Sequence, residues 1–240
     1  LDDACAATWE PLFEATFDGV AAEQAALGPG SGRLVALTEA EGLELARLRS
    51  QLRESLHRQA RFAPSFAVRA HEHVIAAEDG VDYAGVRVNG RVDRIDVDET
   101  AGRFAVIDYK GTVSAEYAAA MGDDAEAPPL PKRIQGLVYA QALRPTLAGL
   151  HCAGALYLAY RARTDKDMVA GAADAAVFGD DALVGRSSMV PMNFDAYLDA
   201  VEALVAERVR RLYAGDIAPD PRFSGICSCC PAVGCERRLA

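Results

Sequence analysis

The sequence predicts a mixed α/β (α+β) fold, in which a central sheet containing an antiparallel meander is flanked by helices. Helical periodicity over the first 60 residues gives way to alternating polar and apolar positions from Ser65. The segment 153–160 is apolar throughout, as in a strand buried on both faces, and an amphipathic helical pattern follows Asn193. Helices before, between and after strands indicate one sheet with helices packed on it.

Composition sets the class of protein. A chain of 240 residues with 51% hydrophobic and 25% charged residues is globular, as one large domain or two small ones. It contains neither a signal-peptide pattern nor an apolar run of the roughly 20 residues that a membrane helix needs. The net charge of −10 argues against nucleic acid unless a local basic patch or a divalent metal overrides it. The chain opens on Leu1, so we expect a piece of something longer or a processed end.

Two helices are predicted first, over 3–27 and from Thr38 to about residue 60. The first has apolar residues at helical spacing and ends at a Gly-rich segment, 28–32. Thr38 and Glu41 form a capping-box pattern at the start of the second. We expect the domain organisation to be a helical segment over 1–64, a core over 65–220 and a cysteine-rich tail over 221–240.

The remaining elements follow in order. Strands are predicted over 66–77, 83–97 and 103–109, and a connecting loop over 114–131. A helix over 132–143, ended by Pro145, precedes the apolar strand 153–160, whereas 163–192 give no clear pattern. Asn193 is the predicted N-cap of the last helix and Gly215 follows its end. Its predicted apolar stripe comprises Phe194, Tyr197, Leu198, Val201, Leu204, Val205 and Leu212.

The hairpin around residue 100 carries the chemistry. With its turn there, facing residues have numbers that sum to about 201, which pairs Asp93 with Asp108 and Ile95 with Val106. Facing side chains have Cβ atoms about 5 Å apart, and Lys110 lies on the same face as Asp108.

Two carboxylates at this spacing repel each other unless one binds a proton or a cation lies between them. A hard divalent cation such as Mg²⁺ suits the pair. Lys110 could then orient or deprotonate an attacking water, or stabilise negative charge on a phosphate. The alternative is a surface hairpin with a cross-strand cluster of salt bridges.

Three ordered motifs resemble the PD-(D/E)XK nuclease superfamily. They are GRVDRID from residue 90, IDYKGT from residue 107 and RIQGLVY from residue 133. They look most like RecB-type domains, in particular the C-terminal nuclease domain of AddB-type helicase–nuclease subunits. The resemblance implies a restriction-endonuclease-like fold, DNA as substrate, a Mg²⁺- or Mn²⁺-dependent exonuclease and a helicase subunit or region as partner. It implies metal ligands at Asp93, Asp108 and the Tyr109 carbonyl, a catalytic Lys110, and Gln135 and Tyr139 lining the DNA side.

Two other functions are compatible with these motifs. One is a free-standing CRISPR-associated RecB-like exonuclease, and the other is a non-catalytic DNA-binding or scaffold domain that retains the fold. RecB-type domains carry a helix histidine in a G-x-x-x-H context that this sequence lacks, and we expect His57 on the surface. Glu72 lies where family members often have a glutamate, so it is either a site residue or a solvated strand residue.

Four of the six cysteines lie within the last fourteen residues, which favours a ligand cluster in a cytoplasmic protein over a disulfide framework. Cys227, Cys230 and Cys235 form a C-x-x-C-P-x-x-x-C motif similar to that of AddB-like iron–sulfur nucleases. The resemblance implies a 4Fe–4S cluster, with Cys5 the upstream candidate for the fourth ligand. If that ligand is missing, the cluster would be absent or replaced by zinc or a disulfide. The alternative is four reduced thiols in the tail that hold no ligand. Cys229 has no assigned role, and Cys152 is expected in the core.

Overall fold

The computed structural model describes residues 6–27, 36, 38–76, 78, 80–119, 121, 128–218, 227–228, 230–231 and 235. These residues confirm a mixed fold of helices around a six-stranded sheet. The helices are α1 (Ala6–Ala26), α2 (Glu39–Gln59), α3 (Gln135–Leu143), α4 (Ala175–Phe178) and α5 (Phe194–Tyr213). The strands are β1 (Ala67–Ile75), β2 (Val81–Tyr83), β3 (Val86–Val88), β4 (Gly90–Asp98), β5 (Arg103–Lys110), β6 (His151–Ala159), β7 (Val169–Asp174) and β8 (Met189–Val190).

The sheet has the strand order β1-β4-β5-β6-β7-β8. Strands β1, β4 and β5 form the antiparallel meander, and β5 then pairs in parallel with β6. A parallel pair needs a crossover connection, and α3 supplies it, packing on both strands. Strand β6 is buried from Cys152 onward, as its continuous apolar sequence predicts.

Two apolar clusters lie on opposite faces of the sheet. Val106 of β5 belongs to the cluster beneath α3 and α5, whereas Ile107, one residue later, belongs to the cluster containing Phe62 and Phe178. Successive side chains of a strand point to opposite faces, so this alternation is what a central strand requires. The face that carries Val106 also carries Asp108, two residues further on.

The predicted N-terminal caps of α2 and α5 are confirmed. The Glu41 N–H donates to Thr38 Oγ1, and the Thr38 N–H donates to Glu41 Oε2 over 2.8 Å, which completes the capping box. Asn193 accepts from the Ala196 N–H at the start of α5. The predicted stripe of α5 is wrong at its C-terminal end, where Leu204 and Leu212 are exposed because the sheet is packed against the first turns of the helix.

Two further expectations are corrected. The predicted strand 83–97 is three strands, because Ala84 and Gly85 both have positive φ and form the turn of the β2–β3 hairpin. The segment 163–192, which gave no pattern, contains β7, α4 and β8.

Among the described helices, none has the length and apolar character required to cross a bilayer.

Candidate active site

The candidate site is built where β4 and β5 extend beyond their last ladder pair. That ladder runs in the predicted register, with Ile95 opposite Val106, and ends at Arg94 opposite Ile107. Asp93 and Asp108 are the next residues along the two strands. Oδ2 of Asp93 accepts a hydrogen bond from the Tyr109 backbone N–H over 2.8 Å, which fixes the first carboxylate against the strand that carries the second.

Asp108 is buried, with 2% of its surface exposed. Its Oδ2 lies 2.5 Å from Lys110 Nζ, and the two side chains form an ion pair. Burial raises the pKa of Asp108, and the nearby Asp93 charge raises it further, while the Lys110 ammonium acts in the opposite direction. The sequence prediction that Asp108 and Lys110 share a face is therefore confirmed.

Helix α3 places Gln135 beside the lysine. Lys110 Nζ donates to Gln135 Oε1 over 3.3 Å, so Gln135 is linked to the carboxylate pair through Lys110. Tyr139, one turn further along α3, instead packs on the start of β4, where a Cβ added to Gly90 would come 2.8 Å from the Tyr139 hydroxyl. Gly90 therefore leaves the space that the Tyr139 ring fills.

Behind the carboxylates, the opposite face of the same hairpin holds a buried polar cluster that sequence reasoning missed. Arg94 donates to both oxygens of Asp96, over 2.7 and 2.6 Å, and Asp96 is only 1% exposed. Arg94 Nη1 also donates to Gln59 Oε1 and Tyr109 Oη, each over 3.1 Å. This cluster joins the end of α2 to the residue between Asp108 and Lys110. Its only signal in the sequence is Arg94 and Asp96 at a spacing of two in a strand.

The donor set fits a hard divalent cation. Carboxylate oxygens are preferred ligands of Mg²⁺, and the chain supplies one from the buried Asp108 and one from Asp93. The site supplies two carboxylates from the chain, and the described residues contain no group of three or more His, Cys, Asp or Glu placed to hold a metal. Water and phosphate oxygens would therefore complete the coordination.

Glu72 and His57 are two further residues that the sequence analysis considered. Glu72 falls between the β1–β4 pairs of His71 and His73, across from Asp93, but its exposed side chain forms an ion pair with Arg91. Its φ of 49° is unusual within a strand. The expectation that His57 lies at the surface is confirmed in part, since 33% of its side chain is exposed. His57 is half-buried, its Nε2 lies 2.8 Å from Glu10 Oε1, and its ring packs on Trp9 because α1 and α2 meet there.

For the cysteines, the structure confirms the predicted core position of Cys152 but gives no support to a ligand cluster in the tail. Cys152 is in the core, and burial raises the pKa of its thiol far above the ordinary value. Cys227, Cys230 and Cys235 are half-buried, and they belong to no ligand group among the described residues. Cys5 and Cys229 lie outside the described residues.

Comparison with known proteins decides the family. The model of the PD-(D/E)XK nuclease superfamily matches residues 2–235, almost the whole chain. The chain belongs to the PD-(D/E)XK nuclease superfamily. Membership of this superfamily implies a metal-dependent nuclease with DNA as its substrate, and it agrees with the restriction-endonuclease-like arrangement of the sheet. A search of curated proteins gives no match.

Proposed function

We propose that this PD-(D/E)XK chain is a Mg²⁺- or Mn²⁺-dependent DNA exonuclease that hydrolyses phosphodiester bonds at Asp93, Asp108 and Lys110. One observation carries the proposal. Two neighbouring strands bring together a buried carboxylate in contact with a lysine and a second carboxylate held by the backbone N–H between them, beside an open cavity that the lysine lines. A purely structural salt bridge would need one acid for one lysine, and the second carboxylate adds repulsion that a divalent cation relieves.

Each residue has a distinct part in this proposal. Asp93 and Asp108 hold the metal, with the Tyr109 carbonyl as a further ligand. A divalent cation at such a site polarises the phosphate and lowers the pKa of a bound water. Lys110 orients the attacking water or stabilises the negative charge that develops on the phosphate, and Gln135 positions Lys110 through the 3.3 Å hydrogen bond. Tyr139 fixes α3 against β4.

The direct test is cleavage of end-labelled linear DNA in Mg²⁺, Mn²⁺ or EDTA, with Asp108→Ala assayed beside the wild type. Metal-dependent degradation that the variant loses supports the proposal, and the ladder of products gives the polarity. Absence of cleavage by folded wild-type protein in both metals contradicts it and favours a non-catalytic DNA-binding domain.

We further propose that the chain acts at DNA ends and works with a helicase subunit or region, as the AddB-type resemblance implies. A matched pair of substrates tests the first part, because an exonuclease degrades linear DNA and leaves the covalently closed circular form intact. Cleavage of both at similar rates would make the chain an endonuclease. Recovery of an ATP-dependent helicase with the chain from its own cells tests the second part.

The cysteine tail and the domain boundaries at 64 and 220 remain predictions from the sequence. A 4Fe–4S cluster on Cys227, Cys230 and Cys235 gains no support from the described residues, and the proposed cleavage does not depend on it. Iron and acid-labile sulfide in the purified protein would establish it. The cytoplasmic location predicted from the clustering of the cysteines is tested by fractionation of the source cells.

A further inference from the structure

A cavity of about 440 Å³ beside the carboxylate pair is unusually basic for this chain. Its described lining includes Lys110, Lys132 and Arg133 and no acidic residue, although the whole chain has a net charge of −10. Lys110 belongs to both the cavity and the candidate active site, since it contacts Asp108 on one side and Gln135 on the other. A ligand in the cavity would therefore lie next to the reacting phosphate.

Two tyrosines line the cavity and pack against two of these cations, Arg133 and Lys110. The rings of Tyr117 and Tyr157 meet edge to face, with centroids 4.9 Å apart. The Arg133 guanidinium lies 5.3 Å from the centre of the Tyr117 ring, and Lys110 Nζ lies 5.8 Å from that of Tyr157. Tyr157 is itself anchored, because its hydroxyl accepts from the Gly136 N–H at the start of α3. The cavity is thus preorganised for an anion.

A carboxylate from this chain already bridges two of the cations. Oε1 of Glu116 lies 3.4 Å from Lys132 Nζ, and Oε2 lies 3.6 Å from an Arg133 nitrogen. All three side chains are about half exposed, between 48% and 53%. Ion pairs between side chains this exposed contribute little to stability, so another anion can displace Glu116 at small cost. A phosphodiester presents one negative charge shared by two oxygens, and the planar fork of the arginine guanidinium matches phosphate geometry.

We propose that this cavity is a DNA-backbone subsite, in which Lys132 and Arg133 bind a phosphate next to the cleaved one after it displaces Glu116. Glu116 therefore lowers the affinity for DNA, because it competes with the phosphate for both cations and repels the approaching strand. This inference rests on the proposed nuclease function for the position of the cleaved bond. Affinity for the strand can nevertheless be measured without any cleavage.

The test is binding of a fluorescently labelled single-stranded DNA oligonucleotide in EDTA, followed by anisotropy over a range of salt concentrations. Arg133→Ala should weaken binding about tenfold, as expected for loss of one charge-assisted hydrogen bond. It should also reduce the slope of log K against log salt by about 0.7, the value for one phosphate contact on a single strand. Glu116→Gln should tighten binding several-fold.

The chain offers a matched control in Glu99, which pairs with Arg69 over 3.3 Å at the turn end of the hairpin, away from the cavity. Glu99→Gln changes the net charge by the same amount as Glu116→Gln, so it should leave the affinity nearly unchanged. Equal effects of the two glutamine variants, an unchanged affinity in Arg133→Ala, or no binding by the wild type would each overturn the proposal. Unfolding midpoints verify that each variant is folded.

Cleavage assays separate this proposal from the function on which it rests. If the wild type cleaves DNA and Arg133→Ala has an unchanged KM and affinity, the subsite is wrong and the nuclease stands. If the wild type binds the oligonucleotide with these variant effects but never cleaves DNA in Mg²⁺ or Mn²⁺, the subsite stands and the nuclease function is wrong.

Discussion

The backbone N–H of Tyr109 donates to Oδ2 of Asp93 over 2.8 Å, so the acid of β4 is held by the residue that separates Asp108 from Lys110. One backbone group thereby fixes the distance between the two strands at the site. The second oxygen of Asp93 is left for another ligand. The same Tyr109 contributes its hydroxyl to the Arg94 cluster on the opposite face, which couples the two sides of the hairpin.

This relationship predicts different outcomes for two substitutions of Asp93. Asp93→Asn retains an oxygen that can accept from Tyr109, whereas Asp93→Ala leaves that N–H without its acceptor. We expect both variants to lose cleavage, but only Asp93→Ala to lose stability, by about 1–2 kcal/mol. Urea denaturation in EDTA measures the difference. Equal stability of the two variants would contradict the role given to this hydrogen bond.

The buried carboxyl of Asp108 predicts how stability depends on pH. Burial raises its pKa in the folded protein above the unfolded value, so the folded state binds more protons between these two values. Stability contributed by this group therefore falls as pH rises through that window, and the full penalty persists at neutral pH. We expect Asp108→Asn to raise the metal-free unfolding midpoint at pH 7, with a gain that shrinks as pH is lowered through the carboxyl range. A lower midpoint in the variant at pH 7 would contradict it.

Breaking the Arg94–Asp96 ion pair should lower the stability of the fold strongly without changing any of the proposed active-site side chains. The Asp96 side chain is 2% exposed and that of Arg94 11%, so Asp96→Ala leaves a buried guanidinium without its carboxylate. Such a loss costs about 3–5 kcal/mol. Tyr109→Phe removes two hydrogen bonds from the same cluster, one with Arg94 and one with Gln59, and should cost less, about 2 kcal/mol. Chemical denaturation measures the free energy of unfolding of both variants. A larger loss in Tyr109→Phe than in Asp96→Ala would show that the ion pair is not the main stabilising contact of the cluster.

A side chain at Gly171 should disrupt the packing between β6 and β7. It has a φ of 135°, and an added Cβ would lie 2.4 Å from the Ala155 carbonyl oxygen on β6, which as backbone has little freedom to move. Gly149 also has a positive φ, of 91°, but nothing lies within 4 Å of its added Cβ. We expect Gly171→Ala to destabilise the fold far more than Gly149→Ala. Thermal denaturation compares them, and similar midpoints would contradict the packing argument.

Local signals in the sequence were sufficient for the hairpin and the helix starts. The register of β4 and β5 follows from alternation around a turn whose Gly102 has a φ of 64°, so Asp108 and Lys110 share the predicted face. The capping box of Thr38 and Glu41 needs only residues three apart. Because these features depend on near neighbours, they could be predicted before any tertiary contact was known.

Long-range features could not be predicted in this way. Strand β7 is short and small in its side chains, and it is defined by pairing with β6. The Arg94 cluster depends on Gln59, which is 35 residues distant along the chain. The break at Ala84 was missed because alanine at a positive φ has no sequence signature, and only Gly85 marks the turn.

The most direct test that Asp93, Asp108 and Lys110 form the active site is the single-turnover rate of linear DNA cleavage in Mg²⁺. The rate is measured for Lys110→Met, with Lys166→Met as a matched control. Lys166 is exposed on the single helical turn before β7, outside the candidate site. If Lys110 acts on the attacking water or the phosphate, Lys110→Met should fold normally and cleave about 100-fold more slowly or worse, whereas Lys166→Met should cleave at the wild-type rate. A folded Lys110→Met variant that cleaves DNA at the wild-type rate would contradict the assignment of this site.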